Sequence, residues 1–217
     1  MDQYRPGIYQ LERPAEGCAG PVVYNSPHSG CLYPADFGYA CPVDVLRRAE
    51  DTRVDDLFWE APLYGAPLLR ALFPRTYIDV NRAPDDIDPG MLDEPLPEPI
   101  RLSERAKAGH GLIRKLIRPD HPVYRRKLSL SEIRHRMNAY YLPYRAVLKD
   151  LLDETWARHG QVWHIDCHSM PSSSAYLSET VRPVDIVLGT LDGTTCAPHF
   201  VREVKVFLES LGYHRCV

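Results

Sequence analysis

Gln161-Val162-Trp163-His164-Ile165-Asp166-Cys167-His168-Ser169-Met170 reads as a buried strand that ends in an imidazole flanked by small polar residues. A second run, Pro21-Val22-Val23-Tyr24-Asn25-Ser26-Pro27-His28-Ser29-Gly30, ends the same way. Open α/β sheets build their sites at strand ends. Two imidazoles joined there by one carboxylate make a three-ligand zinc centre with an open position, as a metallohydrolase needs.

Working outward, the spacing predicts strands over 22–25, 68–73, 77–80, 162–165 and 186–188, with a further strand starting at Tyr213. A helix is expected to start after Pro42, and Val54, Leu57, Phe58 and Ala61 share a second helical face. Ser131-Glu132 opens a long helix running towards Arg158, with Pro143 predicting a kink and Gly160 a stop. Pro198 to Leu211 has the pattern of an amphipathic helix. Residues 83–99 form a proline- and acid-rich excursion, and Ser172-Ser173-Ser174 a polar loop. Strands alternating with helices argue for an α/β sheet covered on both sides.

The 217 residues fit one substantial domain, or one domain with a small addition. A net charge of −3, with basic residues scattered among acids, offers no case for nucleic-acid binding. No apolar run approaches the length of a membrane span. The N-terminus lacks the basic start and apolar core of a secretory signal, so the cytoplasm is the expected location. Six cysteines without a Cys-x-x-Cys pair argue against a zinc ribbon and are expected to be reduced.

His28 is read as a metal ligand or catalyst, or else as a hydrogen-bonded turn residue. His168 has a stronger case because strand alternation would point Asp166 the same way, where it can orient the ring. His164 reads as a buried, hydrogen-bonded residue, and His110 is given no role. Glu50-Asp51-Thr52-Arg53-Val54-Asp55-Asp56 offers four acids, of which Asp51 or Asp55 can complete a His/carboxylate/His set. In a helix those two would share a face. Asn81-Arg82 follows an expected strand. Arg82 can bind a substrate carboxylate through a two-point fork with help from the Asn81 amide, or pair with the acids of the next loop.

Six segments in this order resemble the N-formylglutamate amidohydrolase family: Ser26-Pro27-His28-Ser29-Gly30, the stretch from Asp51 to Phe58, and Tyr77-Ile78-Asp79-Val80-Asn81-Arg82 come first. Tyr140-Tyr141-Leu142-Pro143-Tyr144, Ile165-Asp166-Cys167-His168-Ser169-Met170-Pro171, and Asp185 to Gly189 with Gly193-Thr194-Thr195-Cys196 follow. The resemblance covers nearly the whole chain. It implies a three-layer α/β sandwich around a mixed, mostly parallel sheet, similar to zinc carboxypeptidases and aspartoacylase, forming one domain over residues 1–217. It implies zinc-dependent hydrolysis of N-formyl-L-glutamate, or a related N-acyl amino acid, to the amino acid and formate, as in histidine breakdown. By the same resemblance His28, Asp51 and His168 bind one zinc per chain, with Asp55 the runner-up for the carboxylate. Arg82 and Asn81 hold a substrate carboxylate, and Asp166 supports His168.

The family places a general-base glutamate well after the second histidine. Glu203 and Glu209 sit on an amphipathic helix and are read as solvent-facing. The base and the C-terminal part of the domain are therefore expected to be missing from a chain that ends at Val217. Thr190-Leu191 stand where relatives often have Asp-Arg, and Arg145 where they often have His. The alternative is a non-catalytic remnant that keeps the carboxylate and metal pocket without the base.

Overall fold

A computed structural model describes residues 2–97, 99–118, 121–170, 184–213 and 215–216. The expected loop at 172–174 lies outside the described residues. The chain divides into two compact units, Met1–Ser169 and Met170–Val217.

In the first unit, strands β1 (Gln3–Arg5), β2 (Tyr9–Glu12), β3 (Val22–Ser26) and β4 (Leu68–Ala71) join β7 (Trp163–Asp166) in a five-stranded sheet. Two short strands, β5 (Leu116–Arg118) and β6 (His121–Pro122), form a separate antiparallel pair. The sheet order is β1-β2-β4-β3-β7. β3 is parallel to both β4 and β7, whereas β1 with β2 and β2 with β4 are antiparallel. The sheet is therefore evenly mixed rather than mostly parallel, because the N-terminal strands enter it as a hairpin.

Side-chain alternation in β3 covers both faces. Val23 packs with Leu11, Leu69 and Ala71 against Tyr144, Leu148 and Leu151 of helix α5 (Leu142–His159). Val22 and Tyr24 face the other way, onto Leu68, Ala61, Ala66 and Phe58. Three one-turn helices, α1 (Val43–Leu46), α2 (Val54–Leu57) and α3 (Glu104–Lys107), lie in the long connections.

The expected long helix runs from Leu130 to His159 in three consecutive segments. Helix α4 (Leu130–Arg136) starts from a capping box between Ser129 and Glu132, and a π-helical turn over Met137–Tyr141 leads into α5. Pro143 supplies no N–H and its ring crowds the preceding turn; the wide turn just before it is the local answer. Gly160 closes α5 in the left-handed conformation, with φ 67°.

The apolar run at Tyr77–Val80 is not a strand. Tyr77, Ile78 and Val80 are all buried, so the run is core on every side rather than one face of a sheet. Its ladder partner is a loop: Asp79 N–H donates to Leu112 O at 2.8 Å.

The second unit contains the short strand β8 (Ile186–Val187), helix α6 (Pro198–Ser210) and β9 (Arg215–Cys216). β8 and β9 pair in parallel. Of the terminal strand expected from Tyr213, His214 and Val217 lie outside the described residues. Glu203 and Glu209 are exposed on α6, as their pattern predicts. Among the described residues no helix is long and apolar enough to cross a membrane.

Candidate metal centre

The site follows from strand register. β3 and β7 run parallel with Asn25 opposite Asp166, so their C-terminal ends are level. His28 and His168 each lie two residues beyond their strand, and their ring centroids stand 4.8 Å apart. Gly30 lets the chain turn away at once. A Cβ there would sit 2.3 Å from Phe73 O, so this position admits only glycine.

Asp51 reaches the same point by backbone pairing. Its N–H donates to His28 O at 3.0 Å, and its carbonyl accepts from Ser29 Oγ at 3.1 Å. Asp51 precedes α2, whose N-cap residue Arg53 is left-handed (φ 62°). The shared helical face expected for Asp51 and Asp55 therefore does not exist. Asp55 Oδ2 instead lies 3.6 Å from Arg70, and its N–H donates to Ser29 Oγ.

The carboxylate of Asp51 stands 2.9 Å from His168 Nδ1 and 3.4 Å from His28 Nδ1. Ligand atoms of His28, Asp51 and His168 all fall within 4.8 Å of one another. His28 and Asp51 are buried, whereas His168 is half-open to solvent. Two imidazole nitrogens and a carboxylate oxygen at this spacing could hold a metal ion.

Three neighbours escape the sequence reading. His28 Nε2 lies 2.7 Å from Asp79 Oδ1, so Asp79 fixes the ring and leaves Nδ1 to face Asp51. Arg75 Nη1 lies 2.9 Å from His28 Nδ1, and its Nη2 3.6 Å from Asp51. Arg114 lies on the loop that pairs with Asp79 and donates to His110 Nδ1 from Nε and Nη2, at 3.2 and 3.0 Å. Apolar periodicity marks none of them, because all sit on irregular segments.

Two expected roles shift. Among the described residues Asp166 makes no hydrogen bond to His168. It accepts from Asn25 Nδ2 at 2.6 Å and lies 3.3 Å from His164 Nε2. β7 ends at Asp166, so alternation relates 164 to 166 but does not carry on to 168. His164 is accordingly on the open side of the strand rather than buried. The Asn81 amide, expected beside Arg82, stands 3.2 Å from His168 Nε2. Arg82 itself lies 3.8 Å from Asp79 through Nε.

The electrostatics agree with the geometry. Burial alone would raise the Asp51 pKa, but hydrogen bonds from His168 and His28 and the charge of Arg75 hold it well below the usual carboxylate range. Burial likewise opposes ionisation of Asp79, and is outweighed by His28, the Asn81 N–H and Arg82, which hold it low. Neither acid is a proton acceptor at neutral pH. Burial disfavours the charged form of His28, yet Asp79 and Asp51 together raise its pKa. Metal binding there competes with protonation of the ring.

Residues 20–217 match the N-formylglutamate amidohydrolase family model. The chain belongs to the N-formylglutamate amidohydrolase family. These are hydrolases acting on amides. The chain is similar to N-formylglutamate deformylase of Pseudomonas putida, at 29% identity over 198 residues, covering 89% of this chain and 68% of that protein. Its structure is similar to the crystal structure of N-formylglutamate amidohydrolase from Ralstonia eutropha JMP134, with a TM-score of 0.91 and 44% identity over 97% of this chain and 76% of that one. A gene product of Agrobacterium tumefaciens, 16% identical, shares the fold with a TM-score of 0.63, over 96% of this chain and 71% of that one.

Proposed function

We propose that this protein hydrolyses the formyl amide of N-formyl-L-glutamate, or a close N-acyl relative, with a zinc ion held by His28, Asp51 and His168. The observation that carries the reading is the convergence of those three side chains within 4.8 Å at the level ends of two parallel strands, in a member of an amidohydrolase family. When bound, zinc supplies Lewis acidity, which acidifies water and polarises a carbonyl oxygen.

The chain's own residues do the rest. Asp79 and Asn81 hold the two imidazoles in place. Arg75, 2.9 Å from His28, is placed to donate to oxygen as negative charge grows on it. Arg82, paired with Asp79 through Nε, anchors one substrate carboxylate. Anchoring the acid end fixes where the formyl carbon lies.

Elemental analysis of the purified protein alongside His28→Ala tests the metal, and formate release from N-formyl-L-glutamate tests the reaction. About one zinc per chain, lost in the variant together with formate release, is the expected result. Asp51→Asn is expected to lose metal and Asp55→Asn to retain it. Full metal content in His28→Ala, or no formate from the zinc-loaded protein, overturns the reading.

A further inference from the structure

Three guanidinium groups stand beside the metal centre, and the nearest acids are Asp51 and Asp79, with the charge of Asp86 also reaching Arg82. The three belong to Arg75, Arg82 and Arg114, and both nearest acids are already engaged by the histidines. Among the described residues the Nε atoms of Arg75 and Arg82 have no hydrogen-bond partner, although Arg82 Nε lies 3.8 Å from Asp79.

Arg114 is the least compensated of the three. Among the described residues no carboxylate lies within ion-pair distance of it, and its partner is an imidazole. Burial, then the charge of Arg114, push the His110 pKa down, so the ring is neutral and Nδ1 accepts. Burial, then the charge of Arg75, lower the Arg114 pKa to about 10. It remains a cation at neutral pH; its hydrogen-bond partner is neutral, and Asp79 and Asp51 act on it only through their charge, beyond ion-pair distance. A half-buried cation is expensive to keep unless an anion comes to meet it.

The loop that carries Arg114 is built to hold it still. Gly109 is left-handed, Lys115 and Leu116 N–H both donate to Gly109 O, and His110 pairs with Arg114 as an antiparallel bridge. Leu112 and Ile113 at its tip are buried. Leu112 O accepts from Asp79 N–H at 2.8 Å, which ties the loop directly to the residue that orients His28. A rigid guanidinium fixed relative to the metal ligands is what selective binding of an anion requires.

We propose that Arg114, oriented by His110, binds the second carboxylate of a dicarboxylic substrate, Arg82 binding the first, and so makes the site selective for N-acyl amino acids with an acidic side chain. The inference rests on the substrate reading given above. N-formyl-L-glutamate carries two carboxylates on a three-carbon chain, and the site offers separate guanidinium groups to receive them. A neutral side-chain amide would leave the Arg114 charge unpaired.

Binding tests this apart from turnover. Isothermal titration of the purified full chain would compare N-methanesulfonyl-L-glutamate with N-methanesulfonyl-L-glutamine, whose sulfonamide the chemistry does not cleave. Wild type is expected to bind the diacid at least about ten-fold more tightly, the worth of one charge-assisted pair. Arg114→Met is expected to lose most of that preference, with the loss falling on the diacid. Arg114→Lys, which keeps the charge without the fork, is expected to retain part of it, and melting curves check that both variants are folded. Equal binding of the two ligands by wild type, binding of neither, or a preference that survives in Arg114→Met would overturn the proposal. A clear preference without formate release from zinc-loaded wild type would leave the acid-binding site standing and remove the proposed reaction instead.

Discussion

Two groups of arginine lie inside this protein, and the fold treats them in opposite ways. Arg136 is almost wholly buried. Its Nη1 donates to Tyr77 O at 3.0 Å and to Tyr124 Oη at 2.6 Å, and its Nη2 donates to Phe37 O at 3.3 Å. Its guanidinium lies over Tyr77, 4.3 Å from the ring centroid, with Tyr124 and Phe37 within 6 Å. Every face of that cation is filled by the chain itself. Arg75, Arg82 and Arg114 are only half-buried, the Nε atoms of the first two have no hydrogen bond among the described residues, and the third leans on a neutral ring. A saturated cation fastens the core; an unsaturated one waits for a ligand.

The contrast can be broken by exchanging the losses. Arg136→Met would strand two backbone carbonyls and a tyrosine hydroxyl in the core, and should lower unfolding stability by roughly 3 kcal/mol in a denaturant titration. Arg82→Met should leave stability within about 1 kcal/mol and metal content intact, while lowering kcat/KM for N-formyl-L-glutamate by on the order of a hundred-fold. If Arg82→Met unfolds the protein or sheds the metal, Arg82 belongs with Arg136 as a structural cation.

What the sequence makes legible follows the same division. His28 and His168 are visible because regular strands deliver them, and a strand end is a position that local pattern can locate. Asp51 stands out only as one of two acids. The choice between it and Asp55 depends on where α2 begins, and a left-handed Arg53 is not written in the residue type. Asp79 lies inside an apolar run that mimics a strand, because complete burial and a central strand leave the same hydrophobic signature. Arg75 and Arg114 reach the site from loops, by contacts with residues far away in sequence, so no periodicity reports them. Asp166 contacts Asn25 and His164 because strand alternation stops at the last paired residue of β7 and does not extend to His168. The evenly mixed sheet hinges on an N-terminal hairpin that the proline- and glycine-containing start of the chain conceals.

The support given by Asp79 sharpens the comparison from the metal side. Asp79→Asn keeps the shape but weakens the grip on His28 Nε2, and partners of this kind are worth about 10–100-fold in metal affinity. Competition with a chelator should show that loss in Asp79→Asn and little change in Asp55→Asn, whose carboxylate faces Arg70. Equal affinities for wild type and Asp79→Asn would mean that packing alone orients His28.

The smallest expected effect lies beneath Arg136, at the start of the helix that carries it. Glu132 accepts from both Nη atoms of Arg126, at 2.8 and 2.6 Å, and from Ser129 N–H at 3.0 Å. The Arg126 hydrogen bonds, opposed by burial and aided by the Ser129 N–H, lower its pKa to about 2. A folded pKa below the unfolded value of 4.5 means that the contribution is present above pH 4.5 and fades as the pH falls towards 2. The site is largely exposed, so solvent screening holds the effect under about 1 kcal/mol. Stability measured against pH should therefore show wild type above Glu132→Gln at pH 6 and the two converging near pH 2. No gap at pH 6 would assign the helix start to the Ser129 cap alone, and would leave Arg136 anchored by its carbonyls and rings without help from the charge at position 132.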